Sequence, residues 1–216
     1  MPRYLDIANW SRRELFDFFI AYSNPYFNVC TQLDVTNFVA SVRAQPNIRV
    51  STALHYVTLR AANEIEPFRY RLQDDKIIVY DVVHGGTTVL LPNESFAYAY
   101  FDYTPDFATF VTGMQRAVDD LRSAAGPLKP TTRDDVIYHT SLPWIAFTSF
   151  AHARTKGRGD SIPRFVFGKF IKENDRLLMP FSVEVHHALM DGLHVGRLLA
   201  RMEELLAEPE RVSSEL

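Results

Sequence analysis

The sequence predicts an α+β protein in which helices pack on a large mixed β-sheet. Three observations carry that reading. Runs such as Leu178 to Val185 and Ser95 to Tyr103 alternate apolar and polar residues with the period of a half-buried strand. Other stretches, Ser51 to Glu64 and Asp106 to Arg122 among them, carry helical spacing instead. The chain has 216 residues, 47% of them hydrophobic, with 16 Phe and 10 Tyr. That is enough to bury a full core as one domain spanning 1–216.

Taken in order, Asn9 to Phe19 opens a first helix, with Ser11 and Glu14 in capping-box spacing. Asn24 to Val29 reads as a loop feeding a strand from Val29 to Leu33. Helical patterns follow over Thr36 to Arg43 and Ser51 to Glu64. Phe68 to Leu72 and Lys76 to Tyr80 form a hairpin turned by Gln73-Asp74-Asp75. Thr87 to Leu91 and Ser95 to Tyr103 are further strands, and Thr104-Pro105 precedes the helix Asp106 to Arg122. Ala124 to Pro130 is a loose excursion too short to divide the chain. Arg164 to Lys172 is a strand joined through Glu173-Asn174-Asp175 to the strand Leu178 to Val185, after which Leu193 to Leu206 is an amphipathic helix.

Composition excludes some functions. A net charge of −3 gives no electrostatic footprint for nucleic acid or a membrane surface. The single Cys30 rules out an internal disulfide framework and fits a reducing compartment. No signal-like segment opens the chain and no apolar run reaches about 18 residues. The simplest expectation is a soluble cytoplasmic protein.

The chemistry concentrates in Val183-Glu184-Val185-His186-His187-Ala188-Leu189-Met190-Asp191-Gly192. Two histidines close a strand, and an Asp-Gly pair turns into a helix. Neighbouring residues on a strand point to opposite faces, so one imidazole can look into a cleft while the other packs behind it. Three readings compete for this stretch. The histidines are structural; or a histidine joins Asp191 and His194 around zinc, although no usual zinc spacing is present; or one neutral imidazole is a general base toward a hydroxyl. Residue chemistry alone does not separate the first from the third.

The run His186-His187-Ala188-Leu189-Met190-Asp191-Gly192, continued by Leu193-His194-Val195-Gly196-Arg197, resembles the active-site signature of the chloramphenicol acetyltransferase family. Asn9-Trp10-Ser11-Arg12-Arg13-Glu14-Leu15-Phe16 is similar to the start of that family's first helix. Thr140-Ser141-Leu142-Pro143-Trp144-Ile145-Ala146-Phe147-Thr148-Ser149-Phe150 and Lys169 through Pro180 also look like family segments. Together these cover nearly the whole chain, least well between Val83 and Arg133. The heptad alone is shared with peptide-synthetase condensation domains and plant acyltransferases, and a related form occurs in the acyltransferase cores of 2-oxo acid dehydrogenase complexes.

The resemblance implies a two-layer sandwich fold and acetyl transfer from acetyl-CoA to a hydroxyl of chloramphenicol or a related small acceptor, with no metal. It implies His187 as general base and Thr140, three residues before Pro143, as oxyanion donor, with Ser141 as the fallback. Arg12 would pair with Asp191 and fix the turn behind the histidine, leaving Asp191 unavailable as a triad carboxylate. Phe19, Phe27 and Val166 would line the acceptor pocket, and Lys169 and Phe170 the coenzyme A site. Two positions depart from the family pattern. Phe19 stands where a tyrosine lines the antibiotic pocket, and Val166 where a threonine is associated with active-site water and the coenzyme A end of the channel. The resemblance also implies a homotrimer whose pockets are completed by a neighbouring subunit. The alternatives are an acyltransferase of the dihydrolipoyl type and a non-catalytic binding protein of the same fold.

Overall fold

The computed structural model of the chain describes residues 3–124, 132–154 and 160–213. The stretch read as a loose excursion, Ala124 to Pro130, lies outside them apart from its first residue. The described residues build ten strands in two sheets: β1 (Arg3–Tyr4), β2 (Tyr26–Asp34), β3 (Tyr70–Gln73), β4 (Lys76–Val79), β5 (His84–Leu90), β6 (Phe96–Phe101), β7 (Val136–Leu142), β8 (Arg164–Gly168), β9 (Ile171–Glu173) and β10 (Arg176–His186). The helices are α1 (Arg13–Ile20), α2 (Thr36–Arg43), α3 (Val50–Asn63), α4 (Phe107–Ala124), α5 (Gly192–Ala207) and a short α6 (Glu210–Ser213).

The large sheet runs β2-β10-β8-β7-β5-β6, with β9 adding to β10. It is mixed: β7 pairs in parallel with both β5 and β8, and the remaining pairs are antiparallel. This agrees with the α+β expectation. Its odd-numbered face on β7, β8 and β10, carrying Ile137, Phe165, Phe167, Phe181, Val183 and Val185, packs against α2 to α5 in the main core. Burial on this scale is the largest favourable contribution to folding. The other face is barer. Tyr98, Tyr100 and Tyr138 are half-buried there, and Leu90 and Phe96 at its edge are about half exposed.

A second, smaller sheet, β1-β4-β3, adds the edge strand β1 to the expected hairpin and stands apart from the large sheet. It forms its own core with Phe16 of α1 and with Ala188 and Leu189 from the turn after β10. A two-residue edge strand such as β1 leaves no periodicity in the sequence to detect. Arg71 of β3 is fully buried and donates to four backbone carbonyls, those of Phe68, Tyr70, Asp134 and Val136. It thereby fastens the small sheet to the start of β7.

Four local expectations need correction. The first helix begins at Arg13, with Arg12 at the N-cap and no side-chain cap, so the Ser11–Glu14 capping box does not form. The reason is tertiary: the Arg12 guanidinium is taken by Asp191. Asn24 to Val29 is not all loop, because β2 begins at Tyr26 and pairs with His186. The hairpin strand read from Phe68 begins at Tyr70, after a 3₁₀ turn over Glu66–Arg69. The strand Arg164 to Lys172 is broken at Lys169 and Phe170 into β8 and β9. The turns after β3 and β9 place Asp74 and Asn174 at positive φ, 52° and 53°, which these two residue types tolerate.

Candidate active site

The site is built where β10 ends. His186 is the last residue of the strand and is buried, with its ring edge against Tyr26 at 5.1 Å between centroids. His187 turns the opposite way and is only partly buried. Its backbone N–H donates to the Pro25 carbonyl at 2.7 Å, which ties the turn to the start of β2. One histidine backs the strand and the other is available, as alternation along a strand requires.

Two aromatic rings hold the His187 imidazole. Phe19 of α1 stacks on it at 3.7 Å with an interplanar angle of 9°. Phe27 of β2 leans on it at 4.6 Å and 50°. The Nδ1 atom lies 3.2 Å from the Met190 carbonyl oxygen. A carbonyl only accepts, so Nδ1 must carry the proton, and in the neutral ring Nε2 is left with a free lone pair. Phe18 and Tyr22 surround Phe19 at 5.0 and 5.5 Å and are largely exposed, forming an aromatic patch beside the imidazole.

The turn behind His187 is held by Asp191, which caps α5. Arg12 Nη1 donates to Asp191 Oδ2 in an ion pair between partly buried side chains, 13% and 29% exposed. Leu193 N–H donates to Oδ1 at 3.1 Å. Burial alone would raise the Asp191 pKa, but the charge of Arg12 and its hydrogen bond overcome this and hold the carboxyl below its ordinary value. A carboxylate so engaged is not free to orient His187.

Thr140 is not near His187 within one chain. On β7 it sits level with Val166 of β8, which is level with Ser182 of β10. It is therefore five residues short of His187 along the strand direction and two strands away. At about 3.3 Å per residue and 4.8 Å per strand the two lie about 19 Å apart. They also belong to opposite faces of the sheet, since His139 next to Thr140 is the one that faces α3, through Thr58 at 3.0 Å. Ser141 shares the helix-covered face with His139.

The remaining residues divide. Phe19 and Phe27 are at the imidazole. Val166 is buried in the middle of β8, between Thr140 of β7 and Ser182 of β10, and so within one chain lies at the level of Thr140 and not of His187. Lys169 is exposed at the β8–β9 break, its N–H bonded to the Ile145 carbonyl at 2.9 Å, while Phe170 packs against the core. Exposed Trp144, at 63%, lies one residue away from Ile145. A cavity of about 580 Å³ at the other end of β2 and β10 is lined by Asp34, Thr36, Arg176 and Leu178. It is about 30 Å from His187 along β10 and is unconnected with this chemistry.

Sequence reasoning missed two groups. His194 was considered only as a metal ligand; among the described residues no three His, Cys, Asp or Glu side chains are placed to hold a metal ion, and His194 instead completes the Asp191 cap. Glu184, buried on the bare face, pairs with Arg154. Burial would raise its pKa, yet hydrogen bonding from His152 and the charge of Arg154 hold it down at about 2. The Arg154 guanidinium also lies 3.6 Å from the Tyr26 ring centroid. A buried Glu in an apolar strand is the signal that could have revealed this network.

An imidazole aimed by a backbone carbonyl, at the end of a strand one in from the edge of a helix-backed mixed sheet, is what an acyltransferase needs of its base. The comparisons give the particular family. The family model described as Chloramphenicol acetyltransferase matches residues 3–203, and the chain belongs to that family. It is 32% identical over 216 residues to a chloramphenicol acetyltransferase of Streptomyces acrimycini, covering 96% of each. To one of Escherichia coli it is 28% identical over 205 residues, covering 94% of this chain and 93% of the relative. A solved structure of a chloramphenicol acetyltransferase superposes with a TM-score of 0.85 at 28% identity, covering 95% of this chain and all of that one.

Proposed function

We propose that this chain transfers the acetyl group of acetyl-CoA to a hydroxyl of chloramphenicol or a closely related small acceptor. The observation that carries the reading is His187, stacked on Phe19 with Nδ1–H on the Met190 carbonyl and Nε2 left as a base. Nε2 takes the proton of the acceptor hydroxyl as its oxygen attacks the thioester carbonyl carbon. A tetrahedral oxyanion forms, and a hydroxyl donor such as Thr140 stabilises it; one donor of this kind is typically worth about 10²- to 10³-fold. The carbon–sulfur bond then breaks, and imidazolium His187 returns the proton to the departing thiolate. No enzyme nucleophile takes part.

The co-substrate fits the residues present. Exposed Lys169 offers a cation for phosphate, and exposed Trp144 and Ile145 offer apolar surface close by. The coenzyme A thioester would supply the acyl carbon and the thiolate leaving group. The acceptor side is apolar, since Phe19 and Phe27 bring no hydroxyl to the imidazole.

The same reading makes the working enzyme a homotrimer. Thr140 and His187 of one chain are too far apart to meet at one carbonyl, so the Thr140 that serves a given His187 comes from a neighbour. The bare face of the sheet, with Leu90, Phe96 and Tyr98, supplies apolar surface for such a contact. Dependence on acetyl-CoA puts the protein in the cytoplasm, and among the described residues no helix is long and apolar enough to cross a membrane.

The test is thiol release from acetyl-CoA with and without chloramphenicol. The wild-type chain should release thiol only with acceptor present. His187→Ala should lower the rate at least about 10³-fold while keeping the fold, as loss of a general base does. Near wild-type transfer by His187→Ala would refute the assignment.

A further inference from the structure

The peptide unit between Met190 and Asp191 is held from both sides. Its carbonyl accepts from His187 Nδ1 at 3.2 Å. Its N–H donates to His194 Nδ1, on the first turn of α5, at 3.1 Å. A peptide group is rigid and planar, so whatever fixes the N–H also fixes the carbonyl.

We propose that His194 is a positioning residue, which sets the tautomer and ring angle of His187 through the Met190–Asp191 peptide. The inference rests on His187 being the base but concerns a residue to which the transfer chemistry gives no role.

The proton inventory supports it. To accept from the peptide N–H, His194 must present a lone pair at Nδ1, with its own proton on Nε2. The same Nδ1 lies 2.9 Å from Asp191 Oδ1. A proton placed on Nδ1 would therefore be drawn to the carboxylate and leave the peptide N–H without its acceptor. That carboxylate is already served by Arg12 and by Leu193 N–H. Burial, aided by the charges of Arg12 at the N-cap of α1 and Arg197 on α5 against the opposing pull of Asp191, keeps the His194 pKa below its ordinary value. The ring is neutral at neutral pH, as the acceptor role demands. His194 itself is only 8% exposed, so water does not readily replace it.

A glutamine at this helix position ordinarily reaches back to the N-cap N–H, and so can restore the acceptor; a leucine cannot. The experiment uses the full chain labelled with ¹⁵N-histidine, and reads the His187 tautomer by NMR alongside steady-state kinetics with acetyl-CoA and chloramphenicol. Wild type and His194→Gln should show His187 protonated at Nδ1. His194→Leu should show mixed tautomers and a kcat at least about 10-fold lower, with KM for acetyl-CoA within about 2-fold and a retained unfolding transition. A folded His194→Leu with the wild-type tautomer and kcat overturns the proposal. If the leucine variant does not fold, His194→Gln decides: a wild-type tautomer and kcat support the proposal, and their loss in a folded protein overturns it. The tautomer is read without turnover, so a chain that shows the shift but transfers no acetyl group would refute the acetyl-transfer assignment and leave this inference standing.

Discussion

At the scale of single residues the chain spends its polar groups on aiming one imidazole. Phe19 and Phe27 fix its plane, Met190 its proton, and Arg12 with Asp191 the turn that carries Met190. Arg12→Leu leaves the Asp191 carboxylate without its cation. The pair is neither fully exposed nor sealed, so a stability loss of about 1 to 2 kcal/mol in urea is expected. The larger effect should be on kcat, because the peptide behind His187 loses its anchor. Unchanged kcat in a folded Arg12→Leu would show that the turn needs no such anchor. The Arg12–Asp191 contact was legible only through the family resemblance, since Arg12 and Arg13 stand side by side at the helix start and residue type does not choose between them. The place of His194 was not legible: its partner is a backbone N–H, and backbone groups leave no trace in residue type.

At the scale of elements, β10 and α5 are recovered to within two residues of the sequence reading, because alternation and helical spacing there coincide with burial. The losses occur where tertiary contacts override local preference. Arg12 displaces Ser11 from the cap, and β8 breaks where Lys169 N–H turns to Ile145. Arg71 was equally hidden, since a fully buried arginine bonded only to carbonyls looks like an ordinary hairpin residue. Burial pushes its pKa down to about 10. Arg71→Met would orphan four carbonyls and should cost about 2 to 4 kcal/mol in urea denaturation; a loss under about 0.5 kcal/mol would contradict the staple.

The contact of α3 with β7 holds a buried imidazole pair whose rings are 4.7 Å apart. His55 bonds the Ser51 carbonyl and lies 3.2 Å from Thr87, and His139 meets Thr58. Burial lowers His55 to about 4 and His139 well below its ordinary value. Below pH 6.5 the unfolded chain binds protons at these histidines that the folded chain refuses. Stability is therefore present above pH 6.5 and is lost as pH falls toward about 4, by on the order of 3 kcal/mol for His55 alone. Glu184, held near 2, adds its own loss only below about pH 4.5. Urea midpoints at pH 7 and pH 5 should differ, and equal midpoints would contradict this account.

At the scale of the whole molecule, the central claim is that one chain holds half a site. His187 and Thr140 are about 19 Å apart on opposite faces of one sheet, so the proposed mechanism would need two chains, the first giving the base and the second the oxyanion donor. The sequence carried both residues but no hint of their separation, because strand order is a long-range property. Mixing two inactive variants measures the claim directly. His187→Ala and Thr140→Ala would be assayed alone, then unfolded together in equal amounts, refolded and assayed again. In a mixed trimer each site needs one intact chain for the histidine and a different one for the threonine, so about one site in four is whole. The account predicts recovery to about a quarter of wild-type thiol release with chloramphenicol. A mixture no more active than the average of the two variants alone would contradict it.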